Sequence, residues 1–84
     1  MAHPTISGKV EYEICALVET GVPLSTAARI AGVPPRTARD WLHLGQRPGA
    51  APHWRRFAES IEFARREHDR QVLVRLEELR GQLD

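Results

Sequence analysis

Apolar residues recur along the chain at the spacing of helix faces. The first such run predicts a helix from Gly8 to Thr20, whose shared face carries Val10, Ile14, Leu17 and Val18. Ser7 is a suitable N-cap for this helix, because its hydroxyl can accept a hydrogen bond from a free backbone N–H of the first turn. Gly21 is a suitable stop. The N-terminal part of the chain is therefore expected to be helical.

Two shorter helices are predicted next. The first runs from Thr26 to Ala31, with Ser25 as its N-cap and Gly32 as its stop. The other runs from Pro35 to Leu44 and ends at Gly45. Its inner face carries Ala38, Trp41 and Leu42, and its opposite face carries Arg36, Asp40 and His43, with Thr37 and Arg39 beside them.

A long fourth helix is predicted from about His53 to Leu79 or Arg80, before Gly81. Its stripe comprises Trp54, Phe57, Ile61, Ala64 or Arg65, His68, Val72, Leu76, Leu79 and Leu83. At 1.5 Å per residue the helix is about 40 Å long, more than a three-helix head can cover. Its far half therefore needs a partner, and a second copy of the chain is the simplest one. The chain divides into a head (1–45), a linker (46–53) and a long oligomerisation helix (54–84).

The charge is unevenly distributed. Twelve Lys and Arg against eleven Asp and Glu give a formal net charge of +1. Residues 29–56 hold six Arg and one Asp, whereas the segments on either side each carry an excess of acids. Positive charge therefore collects around the third helix and the linker, as expected for a partner that is negatively charged.

Composition excludes several classes of protein. With Cys15 as its one cysteine, the chain has no internal disulfide, and a reducing cytoplasmic setting is expected. The four histidines and this cysteine lack the spacing of a zinc site, and no apolar run approaches the length of a membrane span. Met1–Ser7 does not have the pattern of a signal peptide. Neither Ser25 nor Ser60 has a neighbouring base in the sequence pattern, so we expect no enzyme and no cofactor.

The segment from Leu24 to Leu44 has the order of a helix-turn-helix. Ala28 lets two helices cross closely, Gly32 turns the chain, and the apolar residues that follow bury the next helix from behind. The predicted fold is all-α, a three-helix helix-turn-helix head followed by a long C-terminal helix. The outer face of the third helix is then free to enter a DNA groove.

The residues expected at such an interface play different parts. Arg36 and Arg39 suit guanine edges, and Thr37 suits a phosphate or a thymine methyl group. Asp40 is expected to pair with Arg36, or else to accept from a cytosine amino group, and His43 is either a helix C-terminal cation or a DNA contact. The remaining cations are either phosphate contacts or ordinary surface charge: Arg47, Arg55 and Arg56. Oligomerisation is assigned to Ile61, His68, Val72, Leu76 and Leu79.

The same segment resembles a known family. Its pattern consists of Ala27-Ala28, Ala31-Gly32-Val33, Thr37 and Trp41-Leu42, followed by Trp54, Phe57, Ile61 and Ala64. It is similar to the N-terminal DNA-binding domain of phage small terminase subunits and related phage and transposase proteins, over about Glu13 to Glu67. In this sequence Pro34-Pro35 stands where that family often has a Ser or Thr cap.

The resemblance implies recognition of double-stranded viral DNA for packaging, assembly into a homo-oligomer and contact with a large terminase subunit. Two other interpretations stay open. One is a dimeric transcriptional regulator of phage or mobile-element origin. The other, from a different class, is a protein-interaction adaptor that does not bind DNA.

Overall fold

The chain folds into four α-helices in a computed structural model that describes residues 6–83. They are α1 (Gly8–Glu19), α2 (Leu24–Ile30), α3 (Pro35–Gln46) and α4 (Pro52–Leu83). Every regular element in this range is helical, which confirms the predicted all-α fold. Residues 1–5, the start of the predicted head, and residue 84 lie outside the described range.

The ends of α1 and α2 are set by local chemistry. Ser7 caps α1, its hydroxyl accepting from the backbone N–H of Val10 at 3.1 Å. Gly21 and Gly32 have positive φ angles of 100° and 84°, a conformation that side chains with a Cβ rarely adopt. In both turns the next two N–H groups bond back to carbonyls of the last helical turn, as in a Schellman motif. These three predicted boundaries are confirmed.

The predicted start of α2 is wrong. The helix begins at Leu24, one residue before the proposed cap, and its N-cap position is occupied by Pro23. Ser25 lies in the first turn, is exposed and makes no capping hydrogen bond. Pro23 takes over because its restricted φ and extended ψ already turn the chain into the helix.

Gly45 does not stop α3, which continues through it to Gln46. A Cβ placed on Gly45 would overlap the backbone carbonyl of Trp54 and lie 2.7 Å from the Cβ of Ala58. The glycine is therefore the point at which α3 and α4 approach most closely, a role that its position at the end of an apolar run did not reveal.

All four helices contribute to one small core. Its largest fully buried side chains are Trp41, Phe57, Ile14 and Ile61. The rings of Trp41 and Phe57 pack edge to face with centroids 5.5 Å apart, which joins α3 to the first half of α4. The remaining members are Val18, Leu24, Ala27, Ala28, Val33, Ala38, Leu42, Ala58 and Ala64. The inner faces predicted for α1, α2 and α3 are thus buried as expected.

Beyond His68, α4 leaves the head. The helix has 32 residues and passes through Gly81, so the predicted end near Leu79 or Arg80 is wrong. Every described residue from Asp69 onward is exposed. The radius of gyration is 15.2 Å, against about 12 Å for a compact chain of this length, and the longest dimension is 59 Å. None of the helices in residues 6–83 combines the length and the apolar character that crossing a membrane requires.

Candidate nucleic-acid interface

Helix α3 is buried on one side and open on the other. Ala38, Trp41 and Leu42 face the core, where none is more than 6% exposed. Pro35 occupies the first helical turn, where a missing N–H leaves no hydrogen bond unmade. The core therefore holds α3 rigidly from behind while its polar side faces solvent.

The outer face gathers four of the predicted site residues. Arg36, Arg39, Asp40 and His43 are exposed and together line a shallow depression of about 390 Å³. The predicted ion pair between Arg36 and Asp40 is wrong, since the two side chains are not in salt-bridge contact in the part of the chain that the structure describes. Exposure lets each side chain remain hydrated, which for a surface pair is nearly as favourable as contact.

A second groove lies beside this depression, between α3 and the start of α4. It encloses about 290 Å³ and is lined by Thr37, Asp40, Trp41, His43, Leu44, Arg47 and Trp54. The ring of Trp54 lies 6.3 Å from that of Trp41, so it is a packing anchor, as predicted. The buried indole N–H of Trp41 has no hydrogen-bond partner among residues 6–83. Asp40 and His43 line both hollows, which makes them one continuous surface.

The segment between α3 and α4 is shorter than the predicted linker, because α3 extends to Gln46 and α4 begins at Pro52. Gly49 turns it with a φ of 74°. The Arg55 guanidinium donates to the carbonyl of Ala50 at 3.0 Å and so ties this loop to α4. Arg47 is the C-cap of α3 and lies at the edge of the groove.

Arg56 is not part of this surface. Its guanidinium faces α1, 3.9 Å from a carboxylate oxygen of Glu11, whose other oxygen accepts from the Ser60 hydroxyl at 3.0 Å. Sequence reasoning missed this link between α1 and α4, because its members are far apart in the chain. Spacing along one helix gives no signal for contacts between helices.

The same side of the head carries a broader groove between α1 and α4, flanked by Tyr12 and Phe63. These two aromatic side chains are 75% and 57% exposed. Cys15 lies in this groove, and burial raises the pKa of its thiol to about 11, with a further contribution from Glu11 and Glu19. The thiol is therefore protonated at neutral pH and unreactive.

The predicted oligomerisation residues separate into two groups. Ile61 is fully buried against its own head, so its assignment to self-association is wrong. His68 is half-buried, and its ring lies where a Cβ on Gly21 would be, 2.7 Å from the His68 Cε1 atom. Val72, Leu76 and Leu79 are exposed, as self-association requires, and so are Leu73 and Leu83.

Comparisons of the chain with protein-family models, curated protein sequences and solved structures gave no match. The function is therefore inferred from the geometry of the molecule itself.

Proposed function

We propose that the protein binds double-stranded DNA, with α2, the turn at residues 31–34 and α3 acting as a helix-turn-helix. The observation that supports this most directly is the polarity of α3. Its back is buried in the core through Trp41, while Arg36 and Arg39 project from the open side without an acidic partner in the described residues. A rigid helix with free cations on one face fits the major groove.

The two arginines would read base edges, and the surrounding residues would hold the helix in place. Arginine forms paired hydrogen bonds to the O6 and N7 atoms of guanine, each such pair giving about 1–3 kcal/mol of discrimination. His43 and Arg47, at the end of α3, suit phosphate oxygens. Arg55 already bonds the loop, so its part is to shape this edge of the surface.

Self-association through the exposed half of α4 is the second part of the proposal. The exposed fractions of Val72, Leu73, Leu76, Leu79 and Leu83 are 41%, 59%, 55%, 45% and 87%. Together they amount to roughly three fully exposed aliphatic side chains, whose burial is worth about 4–9 kcal/mol per chain. Two chains together gain about 9–17 kcal/mol in this way, enough to exceed typical association costs of about 4–15 kcal/mol. Linked heads would then bind DNA more tightly than one head.

For the biological role we propose a DNA-recognition subunit similar to phage small terminases, acting in the cytoplasm with a large terminase subunit as a further partner. A dimeric phage regulator is the second candidate. It is favoured by the tail, which presents a single apolar face, because one such face suits a two-fold pair better than a ring.

The test of DNA binding uses a duplex selected from a random pool and a mixed-sequence duplex. We expect Arg36→Ala with Arg39→Ala to bring the affinity for the selected duplex close to that for the mixed one. The slope of log affinity against log salt should also become shallower by about 1–2. Arg65→Ala with Arg66→Ala is the matched control, since it removes the same charge from exposed positions on α4.

Fluorescence anisotropy across a salt series measures both effects. A wild-type salt slope near zero would contradict DNA binding and leave the adaptor interpretation. If the double variant keeps its sequence preference, α3 is not the reading helix. If both double variants lose the same affinity, the effect is one of net charge alone.

A further inference from the structure

The exposed apolar residues of α4 continue the helix face that packs inside the head. At 100° per residue, Val72, Leu76, Leu79 and Leu83 lie within an arc of about 60°, and Phe57, Ile61 and His68 fall on nearly the same side. We call residues 72–83 the tail. The head covers this face as far as His68, and from Val72 onward nothing in residues 6–83 covers it.

This continuity restricts how a second copy can pair with the tail. In a parallel, in-register pair, each partner helix would run from the tail directly into the space that α1 to α3 occupy on the same face. Parallel pairing would also set Asp69 against Asp69 of the partner subunit, and Arg75 beside Arg80 of the partner subunit. Both the shape of the head and the charges oppose it.

An antiparallel pair avoids both problems. If Val72 lies opposite Leu83 of the partner subunit, Leu76 lies opposite Leu79 of the partner subunit, and the apolar layers close by symmetry. The paired stretch then ends at Val72, before the head begins. Because Asp69 precedes this stretch, it meets no second Asp69.

The charges beside the apolar layers also match in this register. Arg75 comes level with Glu78 of the partner subunit, within about two residues along the axis. Arg80 comes level with Glu77 of the partner subunit on the other side. Two-fold symmetry repeats each pair, so four opposite-charge pairs flank the interface.

We infer that the tail binds the tail of a second copy in antiparallel orientation, with Val72 opposite Leu83 of the partner subunit, so that the two heads lie at opposite ends. This inference rests on the self-association in the proposed function and adds its direction and register. It does not depend on DNA binding, which is measured separately.

Disulfide cross-linking tests the orientation. Val72→Cys and Leu83→Cys are made separately in a Cys15→Ala background, and each variant is oxidised alone and in an equal mixture. We expect a cross-linked dimer mainly in the mixture, with the mass of one copy of each variant. Within one variant, the two new cysteines are separated by about 16 Å along the axis in this arrangement.

Cross-linking of Val72→Cys alone would overturn the antiparallel orientation and support parallel pairing, while self-association would stand. A wild-type chain that sediments as a monomer up to millimolar concentration would overturn both the orientation and the self-association. A dimer that gives no disulfide in any sample would also overturn the inference, since a different surface then forms the contact.

A charge substitution gives an independent result of opposite sign. Arg75→Gln with Arg80→Gln removes attraction in the antiparallel pair, so the dissociation constant should rise, by roughly tenfold. In a parallel pair the same change removes repulsion and the constant should fall. Sedimentation at low salt measures it, with Arg65→Gln and Arg66→Gln as the matched control. A fall or no change would contradict the antiparallel register.

Discussion

At the residue scale, two helical glycines show how differently one residue type can act. Gly45 lies in the last turn of α3, against the backbone of Trp54, and any Cβ there would collide with α4. Gly81 lies in α4, where a Cβ would meet nothing within 4 Å. The first is needed for packing, and the second only makes the helix more flexible.

We therefore expect Gly45→Ala to lower the free energy of unfolding by about 1–3 kcal/mol, because α3 and α4 must move apart. Gly81→Ala should leave stability unchanged or raise it by up to about 1 kcal/mol, through helix propensity. Thermal unfolding followed by circular dichroism measures both variants at equal concentration. Equal effects of the two substitutions would mean that α3 and α4 do not approach closely at Gly45.

Cys15 gives a pH-dependent prediction. Burial raises its pKa from 9.0 to about 11, so at pH 8 the folded chain should hold about a hundredfold less thiolate than the unfolded chain. Alkylation by iodoacetamide, followed by mass spectrometry, should be slower by about that factor in buffer than in guanidinium chloride. Similar rates in the two conditions would contradict the burial of the thiol.

The sign of the stability effect follows from the same shift. Between pH 9 and 11 the unfolded chain loses the Cys15 proton while the folded chain keeps it. Because the folded state then binds more protons, this group makes the fold less stable as pH rises through that range. Below pH 9 it contributes no pH dependence.

At the element scale, α4 is one helix with two environments. Its first half is a core element, with Phe57 and Ile61 fully buried, and its second half has no contacts with the head. An isolated helix of this length is only marginally stable in water, because helix formation needs tertiary contacts to offset the loss of chain entropy. The tail therefore depends on a partner for much of its order, whereas the head does not.

Two substitutions of the same kind separate the faces of the tail. Leu76→Asp should dissociate the oligomer, because it buries a charge in the apolar seam. Val74→Asp should not, since Val74 lies roughly opposite that seam at 100° per residue. Light scattering coupled to size exclusion gives the mass, and circular dichroism verifies the head. An unchanged mass for Leu76→Asp would show that the seam is not the interface.

At the scale of the whole molecule, the head and the tail give the protein its elongated shape. One chain has a longest dimension of 59 Å. An antiparallel pair that overlaps over the 12-residue tail should span about 100 Å, because the overlap is only about 18 Å long. Two chains paired side by side would span about 60 Å.

Small-angle X-ray scattering above the dissociation constant should therefore give a maximum dimension near 100 Å for the dimer, and Leu76→Asp should reduce it to that of one chain. A dimer no longer than its protomer would contradict the end-to-end placement of the heads.

The sequence by itself determined the local features of this protein. Ser7, Gly21 and Gly32 set helix ends through hydrogen bonds and φ angles within a few residues of themselves. The periodic spacing of Ile14 and Val18 predicted which faces would be buried, because a helix places such residues on one side wherever it lies.

Only the tertiary structure decided which helices meet and which side chains remain free. The roles of Gly45 and Glu11 come from α3 and α1 packing against α4, and neither helix carries a local signal of that contact. Ile61 and Leu76 belong to the same apolar stripe, yet one is buried in the head and the other is exposed. The physical reason is that the stripe records an apolar face, whereas the extent of the head decides how much of that face it covers.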